Sequence, residues 1–165
     1  MNYKNKLANQ ARGALGPGEF FVAAAKYLPK GASTKRAAGG VFGVAGTLVA
    51  GSGAGRGQVV GGAQLPSNLA MGLTNQRLLI FELGQGFERV IGQTHSIPLS
   101  HVLTVRCEVG RKLGFRVTYV GISLADGSGV ALEAVSPSSK DGEASACALE
   151  ASRTAASSSS AAVTD

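Results

Sequence analysis

Large apolar residues are crowded into one part of this 165-residue chain: of its 46 Val, Leu, Ile, Phe, Met and Tyr residues, 27 lie between Pro66 and Val135. Burial of apolar area is what offsets the entropy lost on ordering a chain, so folding must centre on that stretch. Much of the remaining apolar content is alanine, 25 residues, which buries little area. The chain therefore has material for one modest domain with appendages.

Inside the rich stretch the pattern is that of strands. Leu69–Leu73 and Arg77–Leu83 are apolar runs separated by Thr74-Asn75-Gln76, a hairpin signal. Phe87–Ile91 and Ser96–Leu99 are shorter candidates. Val105, Cys107 and Val109 alternate with Arg106 and Glu108, which predicts one buried and one wet face. After a turn at Gly110–Gly114, Phe115, Val117 and Tyr119 share a face. A second tight turn, Ala125–Gly129, leads to Val130, Leu132 and Ala134. At least five antiparallel strands are expected, with Phe81, Val105, Cys107, Val117, Tyr119 and Leu132 inside. Ahead of them, Asn2–Leu15 reads as a helix stopped by Gly16-Pro17-Gly18, and Glu19–Leu28 as a first strand closed by Pro29. Beyond Ser136-Pro137, Ala144, Cys147, Ala148, Ala151 and Ala155 recur at helical spacing, a stripe expected to lie on the sheet. The Ser/Ala-rich end, residues 154–165, lacks the apolar content to order itself.

The segment 31–62 is different in kind. It holds 11 of the 24 glycines, and Ala37–Gly55 carries no charge over 19 residues. Only Val41, Phe42, Val44, Leu48 and Val49 are strongly apolar there, a weak drive for membrane insertion. Gly39, Gly43, Thr47, Gly51 and Gly55 repeat every four residues, the spacing that lets two helices approach closely. Three states fit this composition: a loop or loose hairpin, a membrane-contacting helix pair, or a self-association zipper through Gly39, Gly43, Thr47 and Gly51.

Chemistry-bearing patterns are sparse. Cys107 and Cys147 are too few for a disulfide framework or a four-thiolate zinc site. Both read as small buried hydrophobes, and His95 and His101 as surface residues. The Gly51–Gly57 run fits neither the G-x-G-x-x-G fingerprint nor a Walker loop. Glu82, Glu88, Glu108 and Glu133 read as outward strand positions, which leaves no paired carboxylates. No catalytic residue, cofactor or metal is expected, and the polar start of the chain points to the cytoplasm.

Charge is what remains. Residues 1–80 carry nine Lys/Arg against one acid, while residues 81–165 carry seven against nine, for a net charge of +6. Lys26, Lys30, Lys35 and Arg36 cluster at the end of the first strand and in the loop after it, and Arg111 and Lys112 occupy a hairpin tip. Adjoining basic loops would suit an anionic lipid surface or an acidic protein partner. Nine aromatics, mostly within strands, offer little for stacking nucleic-acid bases.

Leu73-Thr74-Asn75-Gln76-Arg77-Leu78-Leu79 resembles the "LTNxRLL" hairpin of bacterial pleckstrin-homology-like and GRAM-like domains. Ile97-Pro98-Leu99-Ser100-His101-Val102 and Leu124-Ala125-Asp126-Gly127 resemble later parts of the same pattern, over about Gly18–Arg153. The chain is similar in particular to a group carrying a Gly/Ala-rich insert after the first strand. The resemblance implies a mainly β fold: a bent antiparallel sheet or barrel capped by a C-terminal helix, with a short N-terminal helix in residues 1–17, the domain in 18–153 and its insert at 31–62. It also implies a non-enzymatic binding module; separately, a place at the inner membrane face, bound peripherally, is expected. The basic pattern that reads phosphoinositides in eukaryotic relatives is departed from at Lys30, Lys35 and Arg36, so general anionic or protein contact is the expectation.

Overall fold

The computed structural model describes residues 3–30, 59, 60, 62–84, 89–112 and 114–161. Lys35, Arg36, Gly39, Gly43, Thr47 and Gly51, and with them the self-association zipper, lie outside the described residues. The elements in chain order are helix α1 (Tyr3–Gln10), then strands β1 (Phe21–Pro29), β2 (Val59–Val60), β3 (Ala63–Gln64), β4 (Leu69–Thr74), β5 (Arg77–Leu83), β6 (Val90–Pro98), β7 (Val102–Lys112), β8 (Phe115–Leu124) and β9 (Gly129–Val135), and helix α2 (Ser139–Ala161). Seven strands form one antiparallel sheet in the order β6-β5-β4-β1-β9-β8-β7, and β2 and β3 pair separately. This is a mainly β arrangement, with a short helix before the sheet and a long one after it.

β1 joins the two halves of the sheet. Phe21–Tyr27 pair with β4, and Leu28 and Pro29 with Glu133 and Leu132 of β9. Its alanines are poor strand formers, but a central strand covered on both sides needs small side chains more than propensity. Ala25 faces the main core, with Tyr27, Met71, Ile80, Leu132 and Leu149. Ala24 faces a second cluster in which Leu7 of α1 packs with Phe21, Leu79 and Phe81. Gly72 lets Phe21 lie flat, since a Cβ there would fall within contact distance of the ring.

Several expectations need correction. The first helix stops at Gln10, followed by a 3-10 turn at Arg12–Ala14. β1 begins at Phe21 rather than Glu19, and Pro29 is its last residue. Val90–Pro98 is one strand where two were expected; Phe87 is outside the described residues. In β8 the core face carries Val120, Ile122 and Leu124, not Phe115, Val117 and Tyr119. Both phases are apolar, and a slip of one residue exchanges the faces. Val117 is nevertheless buried, whereas Phe115 is 60% exposed. In α2 the buried residues among those described are Ser139, Gly142, Ser145, Ala146 and Leu149; Ala144, Cys147, Ala151 and Ala155 are exposed, and Ala148 is half-buried. The helix also runs to Ala161, past the expected boundary at 154. Leucine decides the rotation of α2: burying Leu149 gains about 2 kcal/mol, far more than a row of alanines.

The docking of α2 is fixed at its first turns. The Tyr27 hydroxyl donates to the Gly142 carbonyl (2.9 Å), and Thr118 Oγ1 donates to the Ser139 carbonyl (2.8 Å). Burial pushes the Tyr27 phenol well above its ordinary pKa, so it stays a donor at all accessible pH.

Candidate anion-binding face

Strand register gathers part of the expected basic cluster. Lys26 and Lys30 point the same way from β1, because residues four apart on a strand share a face. The Lys30 amide donates to the Ala131 carbonyl (2.9 Å), extending the β1–β9 pairing by one residue. Leu28 lies opposite Glu133, and Glu133 opposite Tyr119, which in turn lies opposite Glu108. Lys112 follows on that same face of β7, so Lys26, Lys30, Tyr119, Glu133 and Lys112 all belong to one outer face of the sheet.

The contacts agree with that register. Lys30 Nζ lies 5.8 Å from the centre of the Tyr119 ring, and Lys112 Nζ 3.4 Å from Glu133 Oε2. Burial, then the Glu133 charge, push the Tyr119 phenol up, which keeps its ring neutral beneath the ammonium. Lys30 is exposed and Lys112 half-buried. Lys26 sits further along the face, 5.0 Å from the centre of the Tyr3 ring of α1. Arg111 is exposed on the opposite face of β7, beside the Lys112 end of the hairpin. The structure thus brings Lys30 and Lys112 together around Tyr119, with Lys26 set apart towards α1.

Glu133 was expected to be solvated and is instead fully buried. Its outward register was legible; its cover was not. His95, expected at the surface, is buried, with Nδ1 3.0 Å from Thr94 Oγ1 and Nε2 3.3 Å from the Ala63 carbonyl. Cys107 and Cys147, expected to be buried, are both exposed. Val105, Cys107, Ala146, Cys147, Ala151 and Ala155 line an apolar groove of about 740 Å³ between β7 and α2. Sequence reasoning put these stripes inside, and the groove between them was missed.

The hairpin motif that carries the family resemblance serves the fold. Glu19 is buried and receives Arg77 in a two-pronged pair, Nε to Oε1 at 2.9 Å and Nη2 to Oε2 at 2.8 Å. Thr74 Oγ1 lies 2.7 Å from Glu19 Oε1, and the Gly16 amide donates to Oε2 at 2.8 Å. Asn75 completes the corner, accepting from the Phe20 amide and donating to the Gly18 carbonyl. Hydrogen bonding from Arg77 leads in holding the Glu19 carboxyl at about 2, against the opposing effect of burial. This latch ties the segment before β1 to the β4–β5 turn.

Among the described residues no three His, Cys, Asp or Glu side chains gather as a metal would require, and no helix is long and apolar enough to cross a membrane. The crystal structure of a pleckstrin homology domain from Shewanella amazonensis SB2B is similar to this chain at 15% identity and a TM-score of 0.47, over 88% of this chain and 96% of that one. No protein-family model and no curated protein matches the sequence.

Proposed function

We propose that the chain is a non-enzymatic binding module that meets an anionic surface with the outer face around Tyr119, Lys30 leading and Lys26 and Lys112 adding charge. The observation that carries this reading is the placement of Lys30 and Lys112 on one outer face from strands distant in sequence. Lys35 and Arg36 follow Lys30 closely in the chain and add to the same basic run. An anionic lipid surface suits such a face better than a single small anion does, because charge is spread along a strand rather than focused in a pocket.

Vesicle sedimentation tests it. Each basic residue near an acidic surface contributes about 1 kcal/mol, so Lys30→Ala with Lys26→Ala weakens binding to acidic vesicles about thirtyfold. Added salt weakens the wild type in the same direction and leaves neutral vesicles unaffected. Failure of the wild-type chain to bind acidic vesicles, or equal binding by the double variant, removes the reading.

A further inference from the structure

The sheet has two rims, and they are finished differently. β6, at one rim, has its ladder to β5 broken by register shifts at Ile80/Phe81 and Glu82/Leu83, and it ends in Pro98. Such irregularities are how proteins blunt an edge against pairing with another strand. β7, at the other rim, runs without a shift from Thr104 to Lys112. Among the described residues it pairs with β8 alone. Arg106, Cys107, Glu108 and Val109 are all exposed.

The side chains of β7 are also arranged symmetrically about Cys107. One step out stand Arg106 and Glu108, two steps out Val105 and Val109, three steps out Thr104 and Gly110. Two such strands laid antiparallel, with Cys107 opposite Cys107, place Arg106 of each copy opposite Glu108 of the other. They also place Val105 opposite Val109 on the groove side. Directly opposed pairs of these kinds stabilise a sheet, whereas like charges opposed destabilise it.

From this self-complementary charge and apolar pattern on an unbroken rim, we propose that β7 is a homodimerisation edge: two copies of the chain join antiparallel about a twofold axis at Cys107, continuing the sheet from one copy into the next. The twofold axis stands perpendicular to the sheet, so the apolar grooves beside α2 fall on the same side of the joined sheet. Val105, Cys107 and Val109 of both copies then form one continuous apolar strip on that side. The interface is isologous and closes at two copies, since the other rim is blunted. It uses no residue of the Gly-rich segment, and its test is separate from that of the anionic-surface reading.

The register makes Cys107 its own reporter. Opposed residues of an antiparallel pair have Cα atoms about 4.5 to 5.5 Å apart, within the range a disulfide spans. Copper-phenanthroline in air, with oxygen as oxidant, is expected to convert the full-length chain to a covalent dimer on a non-reducing gel. Cys147→Ser retains this product and Cys107→Ser abolishes it. In sedimentation equilibrium without oxidant, Arg106→Glu weakens dimerisation about tenfold or more, by opposing like charges twice, and Arg106→Glu with Glu108→Arg restores it. Both side chains are exposed, so the swaps leave the fold intact. A chain that stays monomeric at every concentration overturns the proposal, including the case of a monomer that captures an extended peptide on β7. So does a dimer that ignores Arg106→Glu or cross-links through Cys147. Failure of the double swap to restore association overturns the register.

Discussion

β4 and β7 belong to one sheet and share an apolar-rich composition, yet they end in opposite states. All six residues of β4 are buried, because α1 and Phe21 cover one face and the main core the other. In β7 only Val102 is buried, although Val105, Cys107 and Val109 alternate as an inner face should. Burial of a strand is set by what lies opposite each face and beside each edge, not by the strand's own pattern. β4 is therefore covered on both faces, and β7 keeps an open rim.

The largest expected effect falls on the latch that closes the first half. Arg77→Ala strands the buried Glu19 carboxylate, and about 3 kcal/mol of stability is expected to go with it, read by urea unfolding. The latch also predicts a pH dependence. The Glu19 carboxyl is lowered from 4.5 to about 2 in the folded chain. Its contribution is therefore complete above the ordinary value and is lost as pH falls towards 2. The wild type should lose about 3 kcal/mol more than Glu19→Gln across that interval. An Arg77→Ala chain as stable as wild type would mean that the first half is held by its core alone.

Next in size is the seam where α2 meets the sheet. A Cβ at Gly142 would stand 2.6 Å from the Ala134 Cβ, with Tyr27 Cε1 at 3.5 Å. Gly→Ala inside a helix normally gains about 1 kcal/mol, whereas forcing such an overlap costs about 1 to 3. Overpacking should win, and Gly142→Ala should lower the melting temperature. A rise would show that α2 can lift off the sheet at no cost, making the seam as open as the rim.

These contrasts mark what the sequence could disclose. The direction of the strands and most of their positions, the two glycine turns and the terminal helix were legible, because alternation and turn chemistry are local. Gly114 and Gly127, with φ of 81°, occupy turn positions that favour glycine. The face of β8 was not legible, since Phe115, Val117 and Tyr119 compete with Val120, Ile122 and Leu124 on apolar character alone. Rotation of α2 was misjudged because a row of small residues outnumbers, but does not outweigh, Leu149. Within the site, Lys30 and Lys112 were readable as basic loop residues. Tyr119 and Glu133, which connect them, depend on the β1–β9 pairing across most of the chain. The same dependence hid the fate of His95 and both cysteines, whose exposure is decided by neighbours remote in sequence.

The smallest effect expected is a shift in thiol reactivity at the open rim. Cys107 is exposed, yet its thiol is raised above the ordinary 9.0 by partial burial first, and then by Cys147, Glu143 and Glu108. Iodoacetamide reacts with the thiolate, so in a Cys147→Ser chain the rate of Cys107 alkylation should rise with pH to a midpoint above 9.0. Glu108→Gln removes one negative neighbour and should move that midpoint down slightly, with stability changed by less than about 0.5 kcal/mol because the side chain is exposed. The direction separates two pictures of the groove. A midpoint above 9.0 describes a strand whose inner face is already half desolvated by α2, a wall prepared for cover. A midpoint at or below 9.0 would describe a freely solvated edge, and the contrast with β4 would then be one of simple exposure.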